Sequence, residues 1–345
     1  MKKLIKKLSE THGSSGYENE VSKIIEKELK SCCDEIHRDK LGNLIAKKGS
    51  GSPVYMLAAH MDEIGFIVKH IDKNGYVWFV VTGGFYDPTI FGSKILIHTE
   101  TRDVPGVIGS KPPHLMEEEE RKKMTKWKEL YIDVGAESKE EAQTLGIEIG
   151  QSITFNQQVV ELAGNRLTGK SFDNRAGCAV MVETMKKLKN FKGTIYAVGT
   201  VQEEVGLKGA QVAAYKINPD LAIAIDVSLT GDSPSVKERE ASTMLGKGPS
   251  ITFAEAQGQG LIANPIINKW LTDTAKELDI PVQLEATFGG RTDAASIYIT
   301  REGIPSASVG IPLRYMHTAV EVVDVDDMVA LSKLLTGAIE KGIEI

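Results

Sequence analysis

The side chains most able to do chemistry are two histidines and a set of acids, most of them placed just after a short apolar run. Residues 54–59 lead into His60-Met61-Asp62, residues 194–201 lead through Gln202 into Glu203-Glu204, residues 221–225 end at Asp226, and residues 306–311 precede His317 by a short loop. Apolar runs rich in Val and Ile read as buried parallel strands. In an open parallel sheet, ligands bind outside the carboxyl ends of the strands, so these groups are expected to converge on one crevice. Asp173, in Ser171-Phe172-Asp173-Asn174-Arg175, stands at the entrance to a helical pattern and can face the same place. His60 and His317 would then share a cavity with carboxylates drawn from Asp62, Asp173, Glu203, Glu204 and Asp226. So many acids repel one another unless cations neutralise them, which makes metal binding the economical explanation. Nitrogen and oxygen donors without thiolate suit zinc, cobalt or manganese rather than copper(I) or an iron–sulfur cluster.

Taken singly, these residues are weak signals. A histidine ending a strand is more often structural than a ligand, and an acidic pair such as Glu203-Glu204 is often just solvated surface. The combination tips the balance, since His60 has Asp62 two residues on and Glu203-Glu204 follows a buried run and precedes Gly206. Successive side chains at a strand end point in different directions, so Glu203 and Glu204 cannot share one role.

The elements that must position these groups read as an α/β fold, a mostly parallel central sheet flanked by helices. Helical patterns cover 175–188 and 324–339, and a third runs from Asn264 to Leu278, with an N-cap residue followed by Pro265. Residues 1–8 are basic, lack the apolar run of a signal peptide and read as a short amphipathic helix. From 66 to 162 the rhythm changes to short alternating segments, at 75–81, 94–98 and 151–155, punctuated by Gly and Pro. This predicts a small β-barrel-like domain, 66–162, inserted into a catalytic domain made of 1–65 and 163–345. Within it, 117–128 is a charged run expected to be a solvated loop or helix.

At 345 residues and 41% hydrophobic, the chain can bury a sizeable core. A net charge of -6 argues against nucleic acid or an anionic membrane as the main partner. Three cysteines, two of them adjacent, cannot form a disulfide framework, which points to a reducing compartment and a cytoplasmic location. No run approaches the roughly 18 apolar residues of a membrane span.

In Ala59-His60-Met61-Asp62-Glu63-Ile64-Gly65, Ser171-Phe172-Asp173-Asn174-Arg175, Gln202-Glu203-Glu204-Val205-Gly206, Ile225-Asp226 and Tyr315-Met316-His317, the chain resembles the tetrahedral (TET) and glutamyl aminopeptidases. That family belongs to a clan of di-metal aminopeptidases and deacylases, and some of its members carry an endoglucanase or deblocking-aminopeptidase label. The motifs occur in the family's order and span nearly the whole chain. The resemblance implies a metallo-aminopeptidase with two divalent ions per subunit, zinc or cobalt, with manganese also suited. By the same resemblance, Asp173 bridges both ions, His60 and Asp226 complete one site, and Glu204 and His317 complete the other. Glu203 is then the general base, and Asp62 orients the His60 ring from behind. One ion would bind the free α-amino group of the substrate, which explains an exopeptidase. The implied partners are short peptides and further copies of the chain, in dimers and a tetrahedral dodecamer built through the inserted β domain.

Other residues invite plainer readings. Gly290, in Gly289-Gly290-Arg291, could cradle an anionic group or simply make a turn. Many members of the family lack a positive charge at the position of Arg291. Near the pocket it would favour an acidic N-terminal residue; solvent-exposed, it leaves specificity broad or neutral. His114, in Lys111-Pro112-Pro113-His114, resembles a family loop that approaches the active site, though a rigid turn accounts for it equally well. His70 and His98 read as surface residues, and Cys178 as a small buried hydrophobe. Three other functions compete. A glycosidase would need carboxyls about 5–10 Å apart across a glycosidic bond and leaves the histidines without work. An assembly subunit with a relic site has no need of Glu203. A deacylase of N-acyl amino acids shares the di-metal chemistry and differs only by family.

Overall fold

The apolar runs become the middle of a large sheet in this computed structural model, which describes residues 1–237 and 239–344. Four parallel strands lie in the order Gly193–Thr200, Val54–His60, Leu221–Leu229, Ser306–Arg314. They are buried over almost their whole length, which explains why their sequences are continuously apolar rather than alternating. The expected parallel sheet is thus its centre, and antiparallel strands extend both margins. Leu44–Ser50 lies beside Gly193–Thr200, while Glu321–Asp324 and then Arg166–Gly169 lie beyond Ser306–Arg314. A short connection such as the one between Ser306–Arg314 and Glu321–Asp324 can only return antiparallel. A further leaf, Ser250–Glu255 with Gln283–Thr287 parallel to it, branches from Ser306–Arg314.

Helices cover both faces. Phe172–Lys187 lies against the central strands and is buried nearly all round. Its small residues Ala176, Gly177, Cys178 and Ala179 allow that approach: a Cβ at Gly177 would stand 2.6 Å from the Ile225 carbonyl oxygen. On the opposite face, Ala210, Ala213 and Ala214 of helix Lys208–Ile217 pack with Ile45, Met56, Ala58 and Val198. Helix Val325–Lys341 packs on Phe172–Lys187. The N-terminal helix Lys2–Glu10 buries Leu4, Ile5 and Leu8, as its amphipathic pattern predicts. Pro265 opens Pro265–Glu277 and Asn264 caps it, its Oδ1 accepting from the Ile266 amide at 2.9 Å.

Gly65–Ile71, Val77–Thr82, Lys94–His98, Asp103–Gly109, Tyr131–Asp133 and Ser152–Phe155 close into an antiparallel barrel with a core of its own. The alternation in Lys94–His98 puts Ile95 and Ile97 inside with Phe66, Phe79 and Phe155. The charged run contains the exposed short helix Glu118–Arg121. His70 is exposed, as expected. His98 corrects its surface reading. Its ring lies 2.8 Å from both Asp103 and Thr154, and it stacks on His12 at 3.9 Å, because the segment after the first helix folds over this corner of the barrel. Among the described residues, no helix is long and apolar enough to cross a membrane.

Candidate active site

The strand ends collect the expected groups. His60 is the last residue of its strand and is paired in register with Thr200, which ends the neighbouring one. Glu203 and Glu204 follow three and four residues after Thr200, Asp226 lies within Leu221–Leu229 opposite Gly310, and His317 follows Ser306–Arg314. Asp173 sits at the start of Phe172–Lys187. The turns that aim them use left-handed backbone at non-glycine residues: Ser171 (φ 53°), Gln202 (φ 57°) and His317 (φ 60°). Each costs roughly 1–2 kcal/mol, so the surrounding fold must hold them in place.

Asp173 stands between the histidines. Its Oδ1 is 3.1 Å from His60 Nε2, and its Oδ2 is 3.4 Å from His317 Nε2. Asp226 Oδ1 and Glu203 Oε2 lie 3.8 and 3.9 Å from His60 Nε2, while Glu204 Oε1 lies 3.5 Å from His317 Nε2. Two groups of donor atoms arise, His60 with Asp173 and Glu204, and His60 with Glu203 and Asp226, the atoms within each lying within 4.8 Å of one another. Burial above all, then neighbouring acids, pushes Glu203 and Asp226 well above the usual carboxylate range and Glu204 up to about 7. Burial works against the charged imidazoles, yet the facing acids outweigh it, holding His60 well above its ordinary value and His317 at about 10. Acids so placed keep their charge only beside cations, and imidazole nitrogen with carboxylate oxygen is a donor set that fits divalent metal ions.

Behind this cluster, Asp62 is fully buried. Its carboxylate accepts from the amides of Glu203 (3.0 Å) and Glu204 (3.1 Å) and from the Ser15 hydroxyl (2.7 Å). The nearest partner of His60 Nδ1 is the Asp62 main-chain oxygen at 3.1 Å, with the carboxylate at 3.5 Å. The Asp62 carboxylate therefore holds the Glu203-Glu204 turn, while the closer contact to the imidazole comes from its main chain. Sequence reasoning missed Glu321, whose two oxygens accept from the amides of Asp173 and His317, both at 3.1 Å. Its strand, Glu321–Asp324, is only four residues long, with two valines between two acids and all four residues buried, so no alternation in the sequence singles the acid out. Also missed was a buried ion cluster. Glu63 meets Lys170 at 2.5 Å and Arg175 at 3.4 Å, and Arg175 also donates to the carbonyls of Leu8, Thr11 and Gly13. Cys178 is buried as expected, and its thiol donates to the His60 carbonyl at 3.1 Å.

The cluster opens into a cavity of about 400 Å³. Gly290 and Arg291 line it. Arg291 is exposed at the rim and donates to Gln259 at 2.5 Å. His114 does not line this cavity and sits in an exposed turn, Pro113–Leu115. The barrel supplies one wall through Gly83 and Gly84, where an added Cβ would stand 3.1 Å from Glu204 Oε2 and 3.2 Å from His317 Nδ1.

An α/β fold with helices on both faces of its sheet, a barrel formed by the segment between two of its strands, and a strand-end cluster of histidines and acids are shared with the aminopeptidases. The family model for M42 glutamyl aminopeptidase matches residues 42–334, and the chain belongs to that family. It is similar to a lysyl aminopeptidase from Pyrococcus furiosus, 38% identical over 96% of this chain and 95% of the relative. Among solved structures it resembles the aminopeptidase APDkam598 from Desulfurococcus kamchatkensis, with 40% identity, a TM-score of 0.95, and coverage of 99% of this chain and 94% of the other. It also resembles the Pyrococcus horikoshii TET1 peptidase, which can assemble into a tetrahedron or a large octahedral shell, with 32% identity, a TM-score of 0.88, and 98% of each chain covered. The protein is accordingly a peptidase of the aminopeptidase type.

Proposed function

We propose that the protein releases N-terminal residues from short peptides using two divalent metal ions, zinc or cobalt, with manganese also suited. Asp173 would be shared between the ions, with His60 and Asp226 on one side and Glu204 and His317 on the other. The observation that carries this reading is the placement of the two Asp173 oxygens against different histidines. When bound, the ions would supply an acidified water and polarisation of the scissile carbonyl. Glu203, buried with its carboxylate 3.9 Å from His60 Nε2, would be the general base, taking a proton from water and returning it to the leaving amine. Asp62 positions Glu203 and Glu204 through their amides. The test is metal content by elemental analysis beside turnover of amino-acid p-nitroanilides, before and after chelation. Chelator-resistant activity would sink the mechanism, and chelator-resistant release of reducing sugar would favour a glycosidase instead.

The reading extends to organisation. The barrel region, 66–162, is taken as an insertion that serves self-association, and 1–65 with 163–345 as the catalytic part. Exposed Tyr86, Phe91 and Leu115 give the barrel apolar surface to cover, and the assemblies of the TET1 peptidase point the same way. Dimers built into a tetrahedral dodecamer are the expected form; light scattering that finds only monomer, with and without metal, would refute it. Free Cys32, Cys33 and Cys178 agree with a cytoplasmic setting. The names of the family and of the lysyl relative span acidic and basic N-terminal residues, so chemistry in the cavity must decide the preference.

A further inference from the structure

Away from the ligand cluster, the cavity floor is made by four strands, Leu221–Leu229, Ser306–Arg314, Ser250–Glu255 and Gln283–Thr287. Asp226 and Ser228 alternate on one face of Leu221–Leu229 and both line the cavity, about 6–7 Å apart along the strand. Ser228 reaches across Gly310, where a Cβ would collide with the hydroxyls of both Ser228 and Ser250. There the Ser228 hydroxyl donates to Glu285 Oε2 at 3.0 Å, and Thr252 donates to the same oxygen at 3.3 Å. Among the described residues no hydrogen bond falls on Glu285 Oε1, although the residue is only 6% exposed and lines the cavity. The other acid of this wall, Glu255, is occupied, with Thr292 and Leu261 donating to its two oxygens. The positive charge of Arg291 stays at the rim with Gln259. Leu207 also lines the cavity and gives it apolar surface that suits an alkyl stem.

We propose that Glu285 makes this part of the cavity a pocket for a cationic N-terminal side chain, lysine or arginine. The proposal rests on the aminopeptidase reading above. With the substrate's reacting end at the His60, Asp173 and Asp226 cluster, the step from Asp226 to Ser228 matches the reach of a lysine side chain. Its ammonium offers three donors to Glu285 Oε1 and the neighbouring hydroxyls. A glutamate in the same place would meet Glu285 as a like charge, and among the described residues lining the cavity the one lysine or arginine is Arg291, at the rim.

The experiment compares kcat/KM for the p-nitroanilides of lysine, norleucine, leucine and glutamate. Norleucine keeps the length of lysine without its charge. The wild-type protein is expected to favour lysine over norleucine by roughly 10- to 100-fold, the worth of a hydrogen bond to a charged group. Glu285→Gln should bring that ratio towards one, mainly through a raised KM for lysine. A wild-type preference for norleucine or glutamate over lysine overturns the proposal without any variant, and so does a Glu285→Gln protein that keeps the lysine ratio. If the variant does not fold, competitive inhibition of the wild-type protein by free L-lysine against free norleucine gives the same comparison, and equal inhibition overturns it. Hydrolysis of none of the four anilides by metal-loaded protein would instead refute the aminopeptidase reading itself.

Discussion

Glu203 and Glu204, adjacent in sequence, turn their carboxylates towards different histidines, 3.9 Å from His60 Nε2 and 3.5 Å from His317 Nε2. Their roles should separate accordingly. Glu203→Gln is expected to keep its full metal complement and lose on the order of 10²–10⁴ in turnover. Glu204→Gln should lose metal, and excess metal should partly restore its activity. Elemental analysis beside turnover decides between them. Metal lost from Glu203→Gln while Glu204→Gln retains two ions would reverse the assignment.

If ions are held as proposed, removing them would leave Asp173, Glu203, Glu204 and Asp226 facing one another with little water to screen them. Exhaustive chelation is therefore expected to lower the melting temperature and break large assemblies towards dimers. Differential scanning calorimetry and light scattering on the same sample provide the check; unchanged values in both would contradict it.

The buried cluster of Glu63, Lys170 and Arg175 ties the N-terminal segment, the entrance to the barrel and the helix that carries Asp173. Taking away one partner strands the opposite charges away from water. Glu63→Gln should cost about 3–5 kcal/mol in urea denaturation. Glu277→Gln, which breaks an exposed pair with Lys341, should cost under about 1 kcal/mol. Equal effects from the two would show that burial adds nothing here.

His12 gives a pH dependence of definite sign. Burial, and then the neighbouring His98, hold its pKa below the ordinary 6.5. The folded protein therefore binds fewer protons there than the unfolded chain does. The stability this provides is complete above about pH 6.5 and declines as pH falls from that value through the lower folded pKa. His12→Gln should flatten the stability loss between roughly pH 7 and pH 5; a denaturation series as steep as that of the wild-type protein would rule the residue out as a contributor.

Much of the site was legible because its groups follow runs that are apolar on both faces. His60, Glu204, Asp226 and His317 were found by asking what stands at the end of each run. Glu285 and Glu321 escaped for the opposite reason. Their strands are short and interrupted by acids, so no apolar run announces them. The antiparallel margins of the sheet were hidden in the same way, since Arg166–Gly169 and Leu44–Ser50 carry mixed composition. His98 was misplaced because its burial depends on His12, 86 positions earlier in the numbering, and pairing across that separation leaves no local pattern. Lys170 and Arg175 look like ordinary surface cations until the chain is folded around Glu63.

The Gly83-Gly84 corner binds the histories of the two parts of the chain together. Because the barrel touches Glu204 and His317 there without any side chain, a barrel borrowed from a relative with a side chain at this corner would push on both residues. A methyl group added at Gly84 would press on an imidazole that the proposed chemistry needs, even though the residue belongs to no catalytic motif. Exchange of barrels between members of the family, whether by recombination or at the bench, is therefore constrained by two missing side chains.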